Sequence, residues 1–233
     1  MEPVAPQRLV DTRPGAPQSL GVPQQRVGVA GLTVDVGAIL GDDAVSAASV
    51  NLTAVNPGAA GFLSLLPGPC TGAIPATSSL NVEAGQDVAV SSIVRLDDGR
   101  FCVFSDVDTD VVLDLQAVHH ESGGTVTPIA PLRVFDSRSA SQRVAAGNDR
   151  QLIGIVPDFA SAAVVNLTAV DASAAGYLSL SPCGSPHQVS NLNFGPGAAI
   201  ANSAVVPAGP DGDICVYASA DTHVIIDVEA WLE

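Results

Sequence analysis

The four histidines, His119, His120, His187 and His223, are the residues of this chain best suited to general-base work near neutral pH. Three carboxylates, Asp106, Asp108 and Asp110 in "DVDTD", are spaced two residues apart, the pattern of an oxygen-rich cation loop. Four cysteines complete the reactive inventory: Cys70, Cys102, Cys183 and Cys215. Catalysis needs more than the right residue types, and no Gly-x-Ser-x-Gly, His-Glu-x-x-His, phosphate loop or dinucleotide fingerprint occurs. The chain is therefore expected not to be an enzyme. No organic cofactor is implied, and calcium on Asp106, Asp108 and Asp110 is the one cation candidate. "HHE" at His119 to Glu121 is a weaker transition-metal pattern, because neighbouring side chains point different ways.

These residues are set in two copies of one pattern, offset by about 115 residues. "PQRLVDTR" from Pro6 is answered by "PLRVFDSR" from Pro131, and "VNLTAV" from Val50 returns unchanged from Val165. "AAGFLSL" from Ala59 returns as "AAGYLSL" from Ala174, "SSLNV" from Ser78 as "SNLNF" from Ser190, and "FCVF" from Phe101 as "ICVY" from Ile214. The closing "TDVVLDLQAV" from Thr109 is answered by "THVIIDVEAW" from Thr222. The reading is a first repeat over 1–118, a linker over 119–127 and a second repeat over 128–233.

Comparing the copies tests each candidate. No histidine recurs at an equivalent place, and "DVDTD" becomes "SADTH", which keeps only Asp221. A calcium site common to both modules is thereby excluded. The cysteines do recur, Cys70 with Cys183 and Cys102 with Cys215, each pair enclosing 31 residues. Copies that fold alike place each pair alike, so the expected bonds are Cys70 to Cys102 and Cys183 to Cys215. Closing such a loop stabilises by roughly 3–4 kcal/mol and implies an oxidising compartment. Asp11 with Arg13, and Asp136 with Arg138, also survive the drift between copies. They are read as structural ion pairs that fix register, with Asp114 or Asp227 on the closing strand sharing them. Asn51, Asn166, Asn81 and Asn193 are read as side chains that satisfy backbone groups at strand ends.

Composition fixes the kind of element that carries these groups. The apolar share is 47 %, dominated by Ala and Val, with aromatics at 4 %. Small and β-branched residues, punctuated by 22 Gly and 17 Pro, suit short strands and tight turns and disfavour long helices. About seven or eight strands per copy are expected, with Val27 to Val36 and Val50 to Val55 alternating and Val111 to Val118 and Val224 to Leu232 closing the copies. The expected fold is all-β, a tandem pair of β-sandwich modules of jelly-roll type with one disulfide in each. A single barrel built from both copies is the alternative. The net charge is −15, and Lys is absent. Because each half is acidic in its own right, a phosphate backbone is repelled and nucleic acid is excluded as a partner. No apolar run reaches the length of a membrane span, and Met1 to Gln7 hold no signal core, so a leader removed earlier is expected.

The ordered blocks resemble a repeat domain of secreted and cell-surface proteins of actinobacteria. In that family "RLVDTR" opens the module, "NLT" and "AAG" lie near its middle, "SNLN" and "ICVY" follow, and a "VDV" strand closes it. The resemblance implies location and company, since the family accompanies exported proteases and other surface modules. It implies no activity and no binding residue. Gln116 and Glu229 depart from it, standing where the family has a small or apolar residue. Two roles follow as expectations: a cell-surface binding or adhesion module recognising carbohydrate or cell-wall polymer, or a structural spacer or assembly subunit that contacts other copies of itself.

Overall fold

Strands of Val, Leu and Ala that alternate with polar residues bury one face only by stacking two sheets, and each copy does so. The computed structural model describes residues 1–16, 26–120, 123–139, 142–185, 189–197 and 199–233. His187 and Glu121 lie outside the described residues.

The first copy contains β1 (Glu2–Asp11), β2 (Leu32–Asp35), α1 (Val36–Leu40), β3 (Ala47–Val55), β4 (Gly61–Pro67), β5 (Leu80–Val82), β6 (Val88–Arg95), β7 (Arg100–Ser105) and β8 (Asp110–His119). The second contains β9 (Val126–Asp136), β10 (Asn148–Leu152), β11 (Ala162–Val170), β12 (Gly176–Ser181), β13 (Leu192–Phe194), β14 (Ala199–Pro207), β15 (Ile214–Ala218) and β16 (His223–Leu232). The sheets run β1-β8-β3-β6 and β2-β7-β4-β5 in one copy, and β9-β16-β11-β14 and β10-β15-β12-β13 in the other. Strand for strand these are the same order, that of an eight-stranded jelly roll. The tandem sandwich is thus the fold, and the single barrel is not. The one helix among the described residues, α1, is a single short turn between Asp35, whose carboxylate accepts from the Ala38 N–H, and Gly41 in the left-handed conformation.

Two compact units result: Arg8–Ser122, and Gly123–Glu233 together with Met1–Gln7. The opening residues therefore belong to the second module, where the Met1 amino group donates to the Gly124 carbonyl at 2.7 Å. Strand also runs into the segment read as a linker, since His119 ends β8 and Val126 and Thr127 begin β9.

In the second module Leu167, Leu178, Leu180, Leu192, Ile214, Val216 and Ile226 are fully enclosed, and Trp231 borders them. Leu52, Leu63, Phe101, Phe104 and Leu113 fill the first. Each such side chain contributes roughly 1.5–3 kcal/mol by leaving water. Both closing strands bulge at one place. Val50 faces Leu115 while Ser49 faces Ala117, which leaves Gln116 as the extra residue; Glu229 is the extra residue of β16. Gln116 and Glu229 are thus the equivalent bulge residues of the two closing strands.

Candidate functional site

β8 and β16 lie beside the strands that open their modules, and this adjacency brings the "RLVDTR" and "RVFDSR" side chains against a closing-strand aspartate. Asp11 ends β1 and folds back on the chain, accepting from the Arg13 backbone N–H at 3.2 Å and from its guanidinium at 2.8 and 2.6 Å. Arg13 lies just beyond the strand and not on its face, so the pair caps the end of β1. Asp136 accepts from Arg138 in the same three ways, at 3.0, 2.9 and 2.7 Å.

The cross-strand half of each network comes from a residue the sequence reading passed over. Arg8 clasps Asp114 at 2.7 and 3.2 Å and reaches Asp11 at 2.9 Å. Arg133 clasps Asp227 at 2.8 and 3.0 Å and reaches Asp136 at 3.4 Å. The signal was present, because both opening motifs begin on Arg. Burial alone would raise the Asp11 carboxyl, but the hydrogen bonds and charge of Arg13, with the charge of Arg8, outweigh it and hold the group below its usual range. The Arg138 hydrogen bond does the same for Asp136, lowering it to about 2.

The three carboxylates of "DVDTD" do not share one partner. Asp106 accepts from the Phe62 N–H at 2.7 Å, and its counterpart Ser219 accepts from the Tyr177 N–H at 2.7 Å. Asp106 therefore serves as a strand-end cap that a hydroxyl performs equally well. Asp108 is exposed beside Gly28. Asp110 is buried and accepts from the Thr12 hydroxyl at 3.1 Å, with Arg26 at 3.5 Å. Among the described residues no group of three or more His, Cys, Asp or Glu is placed to hold a metal ion.

The described histidines are held apart as well. His119 meets the Ser49 hydroxyl at 2.8 Å, His120 meets Asp42 at 2.9 Å, and His223 meets Ser137 at 3.1 Å. Burial pushes the His119 imidazole toward its neutral form. The Ser137 pair mirrors that of Thr12 with Asp110, and both hydroxyls also accept a closing-strand N–H, from Val224 and Val111. Arg26 and Arg143 make a further shared clasp, donating to the carbonyls of Asn56 and Asp171, both at positive φ. Asn51 and Asn166 lie in mid-strand opposite Asp114 and Asp227, not at strand ends. Asn81 and Asn193 accept from the hydroxyls of Ser78 and Ser190.

Cys70–Cys102 and Cys183–Cys215 are bonded, each with Cα atoms 4.9 Å apart. Each ties the loop after the fourth strand of its module to the seventh strand. A cleft of about 70 Å³ lies beside Cys70–Cys102, lined by Val29, Leu66, Pro67, Ala73 and Phe104. That is well under the roughly 300–1,000 Å³ of small-molecule pockets. Phe62 packs on Phe104 and Tyr177 on Tyr217, with ring centroids 5.9 and 5.8 Å apart.

The fold and these clasps define a class: a tandem pair of disulfide-stapled jelly rolls whose opening and closing strands are locked by Arg–Asp networks. No family model, curated protein or solved structure matches the chain.

Proposed function

We propose that the chain is an exported, non-catalytic cell-surface module whose two jelly rolls act as a spacer or assembly unit of an extracellular layer or appendage. The observation that carries this reading is where the shared polar residues go. Arg8, Asp11, Arg13 and Asp114 in one copy, and Arg133, Asp136, Arg138 and Asp227 in the other, bind within their own module. What the two copies hold in common is a frame. Export is supported by the two disulfides, which persist in oxidising compartments, and by the resemblance to actinobacterial surface repeats. Among the described residues no helix is long and apolar enough to cross a membrane.

Binding or adhesion to carbohydrate or cell-wall polymer is the second reading. It draws on Phe159 and Ile153, exposed by 62 % and 75 % between β10 and β11. A sugar platform asks for several such rings, and Phe159 is the one exposed aromatic among the described residues. Glycan-array screening and pulldown of the intact chain on purified cell-wall polymer separate the two. The spacer reading expects no saturable binding; a saturable complex abolished by Phe159→Ala overturns it in favour of adhesion.

A further inference from the structure

An aspartate followed by glycine can rewrite its own backbone, because a residue without a side chain leaves its amide nitrogen open to the preceding carboxyl. The chain holds two such pairs, Asp98–Gly99 and Asp211–Gly212. They stand at equivalent places in the copies, "LDDGRFC" from Leu96 answering "GPDGDIC" from Gly209, in the connections β6–β7 and β14–β15. Both aspartates are exposed. What separates the pairs is the turn that each occupies.

Asp97 and Arg100 exchange both backbone hydrogen bonds, at 3.0 and 3.1 Å, which leaves Asp98 and Gly99 as a two-residue loop. Their φ values of +52° and +70° make it a type I′ turn. Such a turn closes through the flanking residues, and among the described residues the Gly99 N–H has no acceptor. The Asp98 side chain is 92 % exposed, with Arg100 at 3.6 Å, and Arg100 is itself held by Asp35 at 2.8 Å. The second turn is built differently. Its Gly212 N–H donates to the Gly209 carbonyl at 3.0 Å, and the Val156 N–H donates to the Gly212 carbonyl at 2.9 Å. A Cβ on Gly212 would stand 2.1 Å from the Val156 carbonyl oxygen, so this backbone is packed as well as bonded.

We propose that Asp98–Gly99 is a site of spontaneous aspartyl isomerisation, and that the turn around Asp211–Gly212 protects the equivalent pair. The Gly99 nitrogen attacks the carboxyl carbon of protonated Asp98. A bond forms between that nitrogen and Cγ, and the amide proton leaves with the carboxyl hydroxyl as water. Water then opens the cyclic succinimide at one of its two carbonyls. Opening at Cγ restores aspartate; opening at the main-chain carbonyl routes the backbone through the side chain and adds a methylene to the loop. The net change in mass is nil, and no oxidant or cofactor enters. The fold has little slack for that methylene. The Gly99 carbonyl accepts from the Val36 and Gly37 N–H groups at 2.9 and 3.1 Å, and a Cβ on Gly99 would stand 3.3 Å from the Gly37 Cα. Lengthening the loop therefore displaces the carbonyl that holds the start of α1, and the first module weakens as the chain ages.

The test is to age the full chain, disulfides intact, in mildly acidic buffer, then digest it and label isoaspartyl groups with an isoaspartyl methyltransferase. Trypsin releases Asp98 in the short peptide Leu96–Arg100, separate from Asp211. Label is expected to accumulate in that peptide about tenfold faster than at Asp211, the factor that one amide hydrogen bond accounts for. In the reduced, unfolded chain the two pairs are expected to react alike. Asp98→Asn keeps a residue that tolerates positive φ and offers ammonia as an easier leaving group, so it is expected to label faster than the parent. In the aged parent the circular-dichroism transition of the first module is expected to fall while the fluorescence midpoint of Trp231, in the second, stays in place. Label at Asp211 that keeps pace with Asp98 in the folded chain overturns the proposal, as does an Asp98→Asn variant that labels no faster than the parent. A fully labelled chain whose first module melts as before overturns the loss of stability.

Discussion

Arg8 holds two carboxylates, Asp11 and Asp114, that are each only 1 % exposed, whereas Arg133 holds two that water reaches. Removing one partner of a buried pair strands the other's charge, at about 3–5 kcal/mol. Because Arg13 still neutralises Asp11, Arg8→Ala is expected to destabilise the first module by about 3 kcal/mol, the low end of that range. Arg133→Ala is expected to destabilise the second by clearly less. Trp231 is the chain's one tryptophan and lies against the second core, so its fluorescence follows that module while circular dichroism follows both. Equal shifts for the two variants would contradict the burial argument. Asp136 sets a pH window of its own. Its carboxyl titrates at about 2 in the fold against an ordinary 3.8, so its contribution is complete above about pH 4 and is lost as pH falls toward 2. The Trp231 midpoint is expected to fall across that window in the parent and to fall less steeply in Arg138→Ala.

At the scale of elements, the disulfides decide which loops are fixed. Cys70 anchors the loop after β4 to Cys102 in β7, and Gly31 lies against the bond. A Cβ on Gly31 would stand 2.6 Å from the Cys70 sulfur and 3.0 Å from that of Cys102, in a backbone with φ +70°. A Cβ on Gly147, at φ +75°, would meet nothing within 4 Å. Gly147→Ala should therefore bear only the left-handed penalty, about 1–2 kcal/mol, and Gly31→Ala more than that. If the two substitutions lower their modules' melting temperatures equally, the sulfur contact is not limiting. Replacing Cys70 and Cys102 together by Ser is expected to destabilise the first module by roughly 3–4 kcal/mol and to leave the Trp231 midpoint in place.

For the whole molecule, the division into units makes one segment informative. Met1–Gln7 precede the first module in sequence and cluster with the second in space. Deleting them is expected to lower the Trp231-reported transition, since the second unit loses a segment bonded at Gly124. A deletion that moved only the transition invisible to Trp231 would assign the segment to the first module instead.

Several features were legible in the chain because they are local or duplicated. Alternation at period two marks strands, the recurrence of "VNLTAV" marks two modules, and equal Cys spacing marks the two bonds. The Asp11–Arg13 and Asp136–Arg138 pairs span two residues and needed no tertiary information beyond that. Strand order decided the rest. Arg8 and Asp114 are 106 residues apart and meet because β1 lies beside β8. Gln116 and Glu229 are bulge residues because of the register on β3 and β11, and Asp106 caps β4 because β7 runs beside it. Alternation says which face of a strand is buried, but it leaves the neighbouring strand unspecified, and that choice falls to the closure of two sheets over one core.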